Sequence, residues 1–181
     1  PQGFTDRSNV KTIDKLEIGK ITTIKVKVIK YNFPRIMNLP NKVICEDIKG
    51  KIDIVFFNSR EGYIRKILPL NSTVIISGKI NFFKKKYQIT NPAYVVPTSK
   101  ENYVNKLIPK YSLTEGISEK IYRKLIDQVT SKIKNLDEWH DKDTLKKIGN
   151  VGWSQSIIEI HKHHKNDINS KFYKRLAYDE I

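Results

Sequence analysis

Apolar and polar residues alternate in short runs over the first half of the chain and recur at helical spacing over the second. The run KITTIKVKVIKYNF over residues 20–33 sets Ile24, Val26 and Val28 on one face and Lys25, Lys27 and Ile29 on the other, which predicts a strand buried on one side. Residues 39–48 read as a second strand and residues 52–57 as a third. Between them Lys49-Gly50-Lys51 reads as a tight turn whose glycine supplies backbone freedom. Over residues 59–68, Tyr63, Ile64, Ile67 and Leu68 fall at helical spacing and Pro69 stops the helix. Residues 73–80 and 87–96 predict the fourth and fifth strands. Three strands, a short helix and two more strands is the order of the five-stranded OB barrel, in which the helix plugs one open end.

The texture changes near Thr98. Leu113 to Ser118 reads as a turn in which Ser118 caps a helix beginning at Glu119. Ile121, Leu125, Val129 and Ile133 then repeat along one face, with Tyr122 and Ile126 beside them. Shorter helices are expected over residues 143–148, 154–161 and 171–181. This predicts a mainly β fold with an appended α segment: a connecting piece over 1–18, an OB barrel over 19–98 and a helical linker over 99–181. The linker alone cannot form a large core, so it is expected to pack against the barrel or against further protein.

Charge narrows the function. The chain carries 34 Lys and Arg against 19 Asp and Glu, a formal net charge of +15, which attracts polyanions. Residues 1–97 hold 18 and 7 of these, residues 98–181 hold 16 and 12, so the excess sits on the predicted barrel. A merely solvated lysine-rich surface is the alternative. Within the basic half, the two alternating runs of residues 71–97 flank a tip carrying Phe82, Phe83, Lys84, Lys85, Lys86 and Tyr87. Aromatic rings there suit stacking on bases and ammonium groups suit phosphates. Phe82 and Phe83 are adjacent in a strand, so only one is expected to face nucleic acid while the other, Phe82 by preference, enters the core. A second basic and aromatic group, Lys30, Tyr31, Phe33, Pro34 and Arg35, lies at the first hairpin, where OB loops contact ligand. Lys30 and Arg35 are candidate phosphate contacts and Tyr31 a candidate loop contact; Phe33 alternatively closes the barrel.

Other features exclude function classes. The single cysteine, Cys45, permits no internal disulfide and no multi-cysteine zinc site, and its apolar strand context reads as core. No apolar run approaches the ~20 residues that span a bilayer, and the N-terminus lacks signal-peptide character, so the chain reads as soluble and cytoplasmic. It begins at Pro1 and ends inside a helical pattern, as expected of a segment of a longer protein. His140, His161, His163 and His164 lack partners at ligand spacing and read as exposed polar residues. Glu46, Asp47 and Asp53 flank a hairpin and read as solvent-facing rather than as a two-metal nuclease site. No G-x-x-x-x-G-K-[ST] occurs, so no catalytic residue, cofactor site or metal site is assigned within these residues.

Several separated blocks resemble the bacterial RecG helicase family: Pro1-x4-Asp6-Arg7-Ser8, Ile54 to Asn58, Ser77-Gly78-Lys79 with Gln88-x3-Pro92-x-Tyr94, Ile108-Pro109-x-Tyr111-x-Leu113 to Ser118, Ile160-His161, and Arg175 to Glu180. They occur in the family's order and span essentially the whole chain. After Ile160-His161 that family continues with an apolar residue and proline, whereas this chain has Lys162-His163-His164. The resemblance implies an OB-type wedge that splits strands at replication forks and Holliday junctions, with the helical linker leading to an ATP- and Mg2+-dependent motor beyond Ile181. It also implies a monomeric parent helicase in DNA repair and recombination. Because the family's wedge aromatics stand four apart, it points to Phe83 and Tyr87 as the base-stacking pair, with Phe82 as alternate. Two other classes remain: a stand-alone OB module for single-stranded DNA or RNA, and a docking module for the tails of single-strand-binding protein.

Overall fold

In the computed structural model, residues 1–36, 39–162 and 170–180 are described. The chain divides into two compact units, residues 6–106 and residues 1–5 with 107–181.

The elements run β1 (Gly3–Asp6), β2 (Ile21–Asn32), β3 (Asn41–Glu46), β4 (Lys51–Phe56), α1 (Glu61–Ile67), β5 (Thr73–Phe83), β6 (Lys86–Thr90), β7 (Tyr94–Pro97), α2 (Glu101–Val104), β8 (Leu107–Lys110), α3 (Glu119–Thr130), α4 (Lys142–Lys147), α5 (Trp153–His161) and α6 (Lys171–Asp179). Within residues 6–106 the strands form a barrel, as the OB-type order of elements predicts. Its sheet runs β2-β3-β4-β6-β5-β7, and β2 also pairs with β5, which closes the cylinder. One long strand serves both neighbours because β2 is bulged between Val28 and Lys30: its first part pairs β5 from Ile21 opposite Lys79 to Lys27 opposite Thr73, and its later part pairs β3. A bulge bends and twists a strand as a barrel corner requires. The β4–β6 pair is parallel and the others are antiparallel.

Alternating residues fill the interior. Ile24, Val26, Val28, Val43, Cys45, Ile52, Ile54, Ile76, Ile80 and Ile89 are all buried; Ile64 and Leu68, on and just after α1, belong to the same core, as do Leu16 and Ile13, the latter beside the β3–β4 turn. Tyr63, expected on the same helical face, is exposed instead. Outside the barrel, Arg7 is buried and donates from Nη1 to Ser77 Oγ at 2.9 Å. Thr23 donates to the Arg7 carbonyl at 2.8 Å, and the guanidinium lies 5.1 Å from the Tyr94 ring centroid. Residues from four separate stretches of sequence thus meet in one polar cluster.

Three sequence expectations change. The fourth strand runs on to Phe83 because cross-strand pairing with β6 continues past the last buried position. The expected fifth strand is two strands, β6 and β7, broken where Asn91 adopts φ 43° ahead of Pro92, which has no N–H for a ladder. Gly50 is not left-handed; a Cβ there would lie 3.1 Å from Ile13 Cγ2, so what glycine supplies here is close packing against Ile13 rather than a left-handed backbone. The turn itself is held by Asp47, whose Oδ1 accepts from the N–H groups of Lys49 and Gly50.

In the other unit β1 pairs with β8. Ser118 caps α3 as expected, its Oγ accepting from the Ile121 N–H at 3.4 Å. The Ile121, Leu125 and Val129 stripe is present but exposed, and the buried side of α3 carries Arg123. Arg175 on α6 is fully buried, donating to Glu138 at 3.0 Å and to Asp179, with Trp139 over its guanidinium at 4.8 Å. Ile181 lies outside the described residues.

Gly78 offers a direct check on the barrel. An added Cβ would fall 2.5 Å from Ile89 Cγ2 and 3.4 Å from Pro92 Cα. Gly78→Ala is expected to lower stability by about 1–3 kcal/mol in a urea titration, and an unchanged midpoint would refute this account of the β5–β6 approach.

Candidate nucleic-acid interface

The ladder between β5 and β6 continues through Phe82 opposite Tyr87 to Phe83 opposite Lys86, leaving Lys84 and Lys85 alone as the turn. Both are left-handed, at φ 48° and 60°. A two-residue hairpin of this hand matches strand twist, and Asn-Gly is its usual sequence. Lysines there cost roughly 1–2 kcal/mol each. The barrel tolerates the strain, and two cations are held at the most projecting point. The Lys84 ammonium sits 5.5 Å from the Phe83 ring centroid.

Directly opposed residues share a face of the hairpin. Phe82 and Tyr87 continue the interior face of Ile80 and Ile89, with ring centroids 5.3 Å apart and edge-on at 70°. Tyr87 is half-buried against the core, but Phe82 remains 49% exposed, so the expectation that Phe82 enters the core is corrected. Beyond Ile80 and Ile89 the half-buried Tyr87 ring continues the core, and Phe82 stands against its edge at the open end of the row. Phe83, 54% exposed, points to the outer face beside Lys86. Phe83 and Tyr87 therefore project from opposite sides of one hairpin.

On the outer face a groove of about 540 Å³ runs between the β2–β3 connection and the hairpin turn. Asn32, Lys42, Val55, Phe57, Phe83 and Gln88 form much of its lining, with Lys84 at one edge. Lys30 lies on the same outer face, opposite Ile44. Arg35 is exposed in the β2–β3 connection but does not line the groove, and Lys85 occupies the turn.

Tyr31 is placed otherwise than expected. Its hydroxyl donates to the Leu68 carbonyl at 2.6 Å, its ring stacks on Phe33 at 5.0 Å, and the Arg65 guanidinium lies 4.6 Å above it. Both rings pack against the core and close the barrel end, so Tyr31 is a structural residue here. Sequence reasoning missed Lys42, Gln88 and Phe57 as groove residues. The signal was present for one of them, since Val55 and Phe57 extend the outward face of a strand whose inward face is Ile52, Ile54 and Phe56.

The acidic and histidine residues do not assemble. Asp47 caps its own turn and accepts from the Ile13 N–H at 2.8 Å. No group of three potential metal ligands occurs among the described residues. His161 Nδ1 lies 2.7 Å from the Tyr111 hydroxyl, and burial lowers the His161 pKa and raises that of Tyr111. His140 lies 2.8 Å from Asp179, so neither histidine is a free surface residue as expected; His163 and His164 lie outside the described residues.

The family model of the RecG wedge domain matches residues 1–133. The chain belongs to the RecG wedge domain family. Among curated relatives, the ATP-dependent DNA helicase RecG of Synechocystis is 25% identical over 198 residues, covering all of this chain and 24% of that protein. The RecG of Thermotoga maritima is 26% identical over 186 residues, with the same coverage. The chain thus spans about a quarter of the length of these relatives. A solved structure of RecG bound to a three-way DNA junction superposes with a TM-score of 0.81 at 24% identity, covering 99% of this chain and 25% of that one. The RecG wedge fold described here is therefore shared along nearly the whole chain.

Strain in the hairpin turn is open to measurement. Replacing Lys84-Lys85 by Asn-Gly is expected to stabilise the barrel by about 1–2 kcal/mol and to reduce the salt dependence of DNA binding through loss of two cations. A lower unfolding midpoint in the double variant would refute the assignment of strain.

Proposed function

We propose that this chain is the branch-recognition part of a longer ATP-dependent DNA helicase, whose hairpin enters a fork and holds its strands apart. The observation that carries the reading is the placement of Phe83 and Tyr87 on opposite faces of the β5–β6 hairpin. A fork presents two diverging strands, and a hairpin with one aromatic on each side offers a stacking surface to both. The junction-bound RecG with the same fold supports the choice of branched DNA over a continuous single strand.

The energetics are compatible. Opening one base-pair step forfeits about 1.4 kcal/mol of stacking, and stacking a base on an aromatic side chain returns about 1–3 kcal/mol. Two rings offset most of the cost of melting at the branch, and the motor then supplies direction. Lys84, Lys85, Lys86 and Lys30 contribute sequence-independent attraction to phosphates, and the exposed Arg35, next to the groove residue Pro34, adds to it. ATP, and the Mg2+ that accompanies it, belong to motor domains outside these 181 residues. In this reading the chain itself performs no bond chemistry; it selects the substrate and places the split.

The test compares affinity for a three-way fork, a duplex and a single strand. Phe83→Ala and Tyr87→Ala are each expected to weaken fork binding about tenfold, the lower half of the stacking range, while duplex binding holds. Equal affinity for fork and duplex, with both variants unchanged, would remove the wedge reading.

A further inference from the structure

Next to the groove lies a second cavity of about 420 Å³, reached past Asn41, Ser59 and Arg60. Pro34, Leu39, Pro40 and Phe57 line both and form their common wall. Phe57 stands on that wall 48% exposed. Its backbone is fixed from several directions. The Phe57 N–H donates to Asn91 Oδ1 at 3.0 Å, and the Asn91 N–H donates to the Val55 carbonyl at 2.8 Å. Asn58 is held left-handed at φ 58°, and Asn41 Nδ2 donates to the Ser59 carbonyl at 2.9 Å. An exposed aromatic ring on an anchored backbone loses little further freedom when it meets a ligand.

The surroundings decide the kind of ligand. Lys42 and Lys84 border the first cavity and Arg60 the second, while Glu61 is the one carboxylate among their described lining residues and lies 3.9 Å from Arg65. Apolar rings between cations fit a nucleic-acid strand, whose bases stack and whose phosphates pair.

We infer that Phe57 and Arg60 form a second station for the unpaired DNA strand that leaves Phe83, the Phe57 ring stacking a base and the Arg60 guanidinium taking a phosphate. The inference rests on the wedge reading of the hairpin and extends it from a point of separation to a track. A strand entering at Phe83 crosses the face carrying Lys42 and Val55, meets Phe57, and continues beside Arg60. The chain then grips a length of separated strand as well as the branch itself.

The experiment measures binding of the 181-residue chain to two forks, one with a single unpaired nucleotide on its arm and one with about 16, the upper end of OB-fold site sizes. Phe57→Ala is expected to weaken the long-armed fork about tenfold and to leave the short-armed fork unchanged. Phe57→Tyr keeps the affinity, and Phe57→Leu, which preserves apolar cover but not the ring, does not. Arg60→Gln lowers the slope of log affinity against log salt by about 0.7 on the long-armed fork alone. Phe83→Ala weakens both forks. Equal effects of Phe57→Ala on the two forks, no effect on either, or full affinity in Phe57→Leu would overturn the second station while leaving the hairpin reading intact. Unchanged binding of Phe83→Ala to both forks would overturn the hairpin reading, and this extension with it.

Discussion

The pairing of β2 with β5 is the constraint from which the interface follows. It closes the barrel from Ile21 opposite Lys79 to Lys27 opposite Thr73, and so fixes which face of β5 looks inward. Ile76 and Ile80 then enter the core. Strand pleating leaves no choice for what comes next: Phe82 continues the inward row to its open end, and Phe83 turns outward. A slip of one residue in this ladder would exchange the two phenylalanines and carry Phe83 out of the groove. Barrel closure and the placement of aromatics at the tip are therefore one specification.

The blocks of RecG-like sequence gain a physical meaning in the fold. Arg7, Ser77 and Tyr94 come from two of them and meet in a single buried cluster. Gly78 leaves room for Ile89 and Pro92, while Tyr111 and His161 share a hydrogen bond across fifty residues of chain. Arg175 and Asp179 belong to one ion network with Glu138. These positions secure the scaffold. The aromatic and basic residues of the interface lie mostly between them, on strands whose geometry the clusters hold.

Period-2 alternation made the barrel legible, because Ile24, Val26 and Val28, or Ile52 and Ile54, can face one side only. The helix at α1 was equally plain from Ile64 and Leu68. Strand ends were less so. Asn81, Phe82 and Phe83 break the apolar alternation, yet the ladder with β6 carries β5 through them. Tyr31 looked like a loop contact because its partners, the Leu68 carbonyl and Arg65, lie more than thirty residues away and enter only through closure. Phe57 was overlooked because its neighbour Phe56 is core; the two adjacent rings part company at the end of β4. The exposed stripe of α3 shows the opposite failure, where a helical period is real but does not identify what covers it.

Cys45 carries one last consequence. Its thiol is fully enclosed in the barrel, and burial, with the nearby Asp53 charge, pushes its pKa up to about 12. Thiolate is the reactive form of sulfur, so this thiol stays inert to alkylating and oxidising reagents while the barrel is shut. Since it is the chain's sole cysteine, its reactivity reports barrel opening, and a cysteine placed on the hairpin would carry a fluorophore or cross-linker without competition from within.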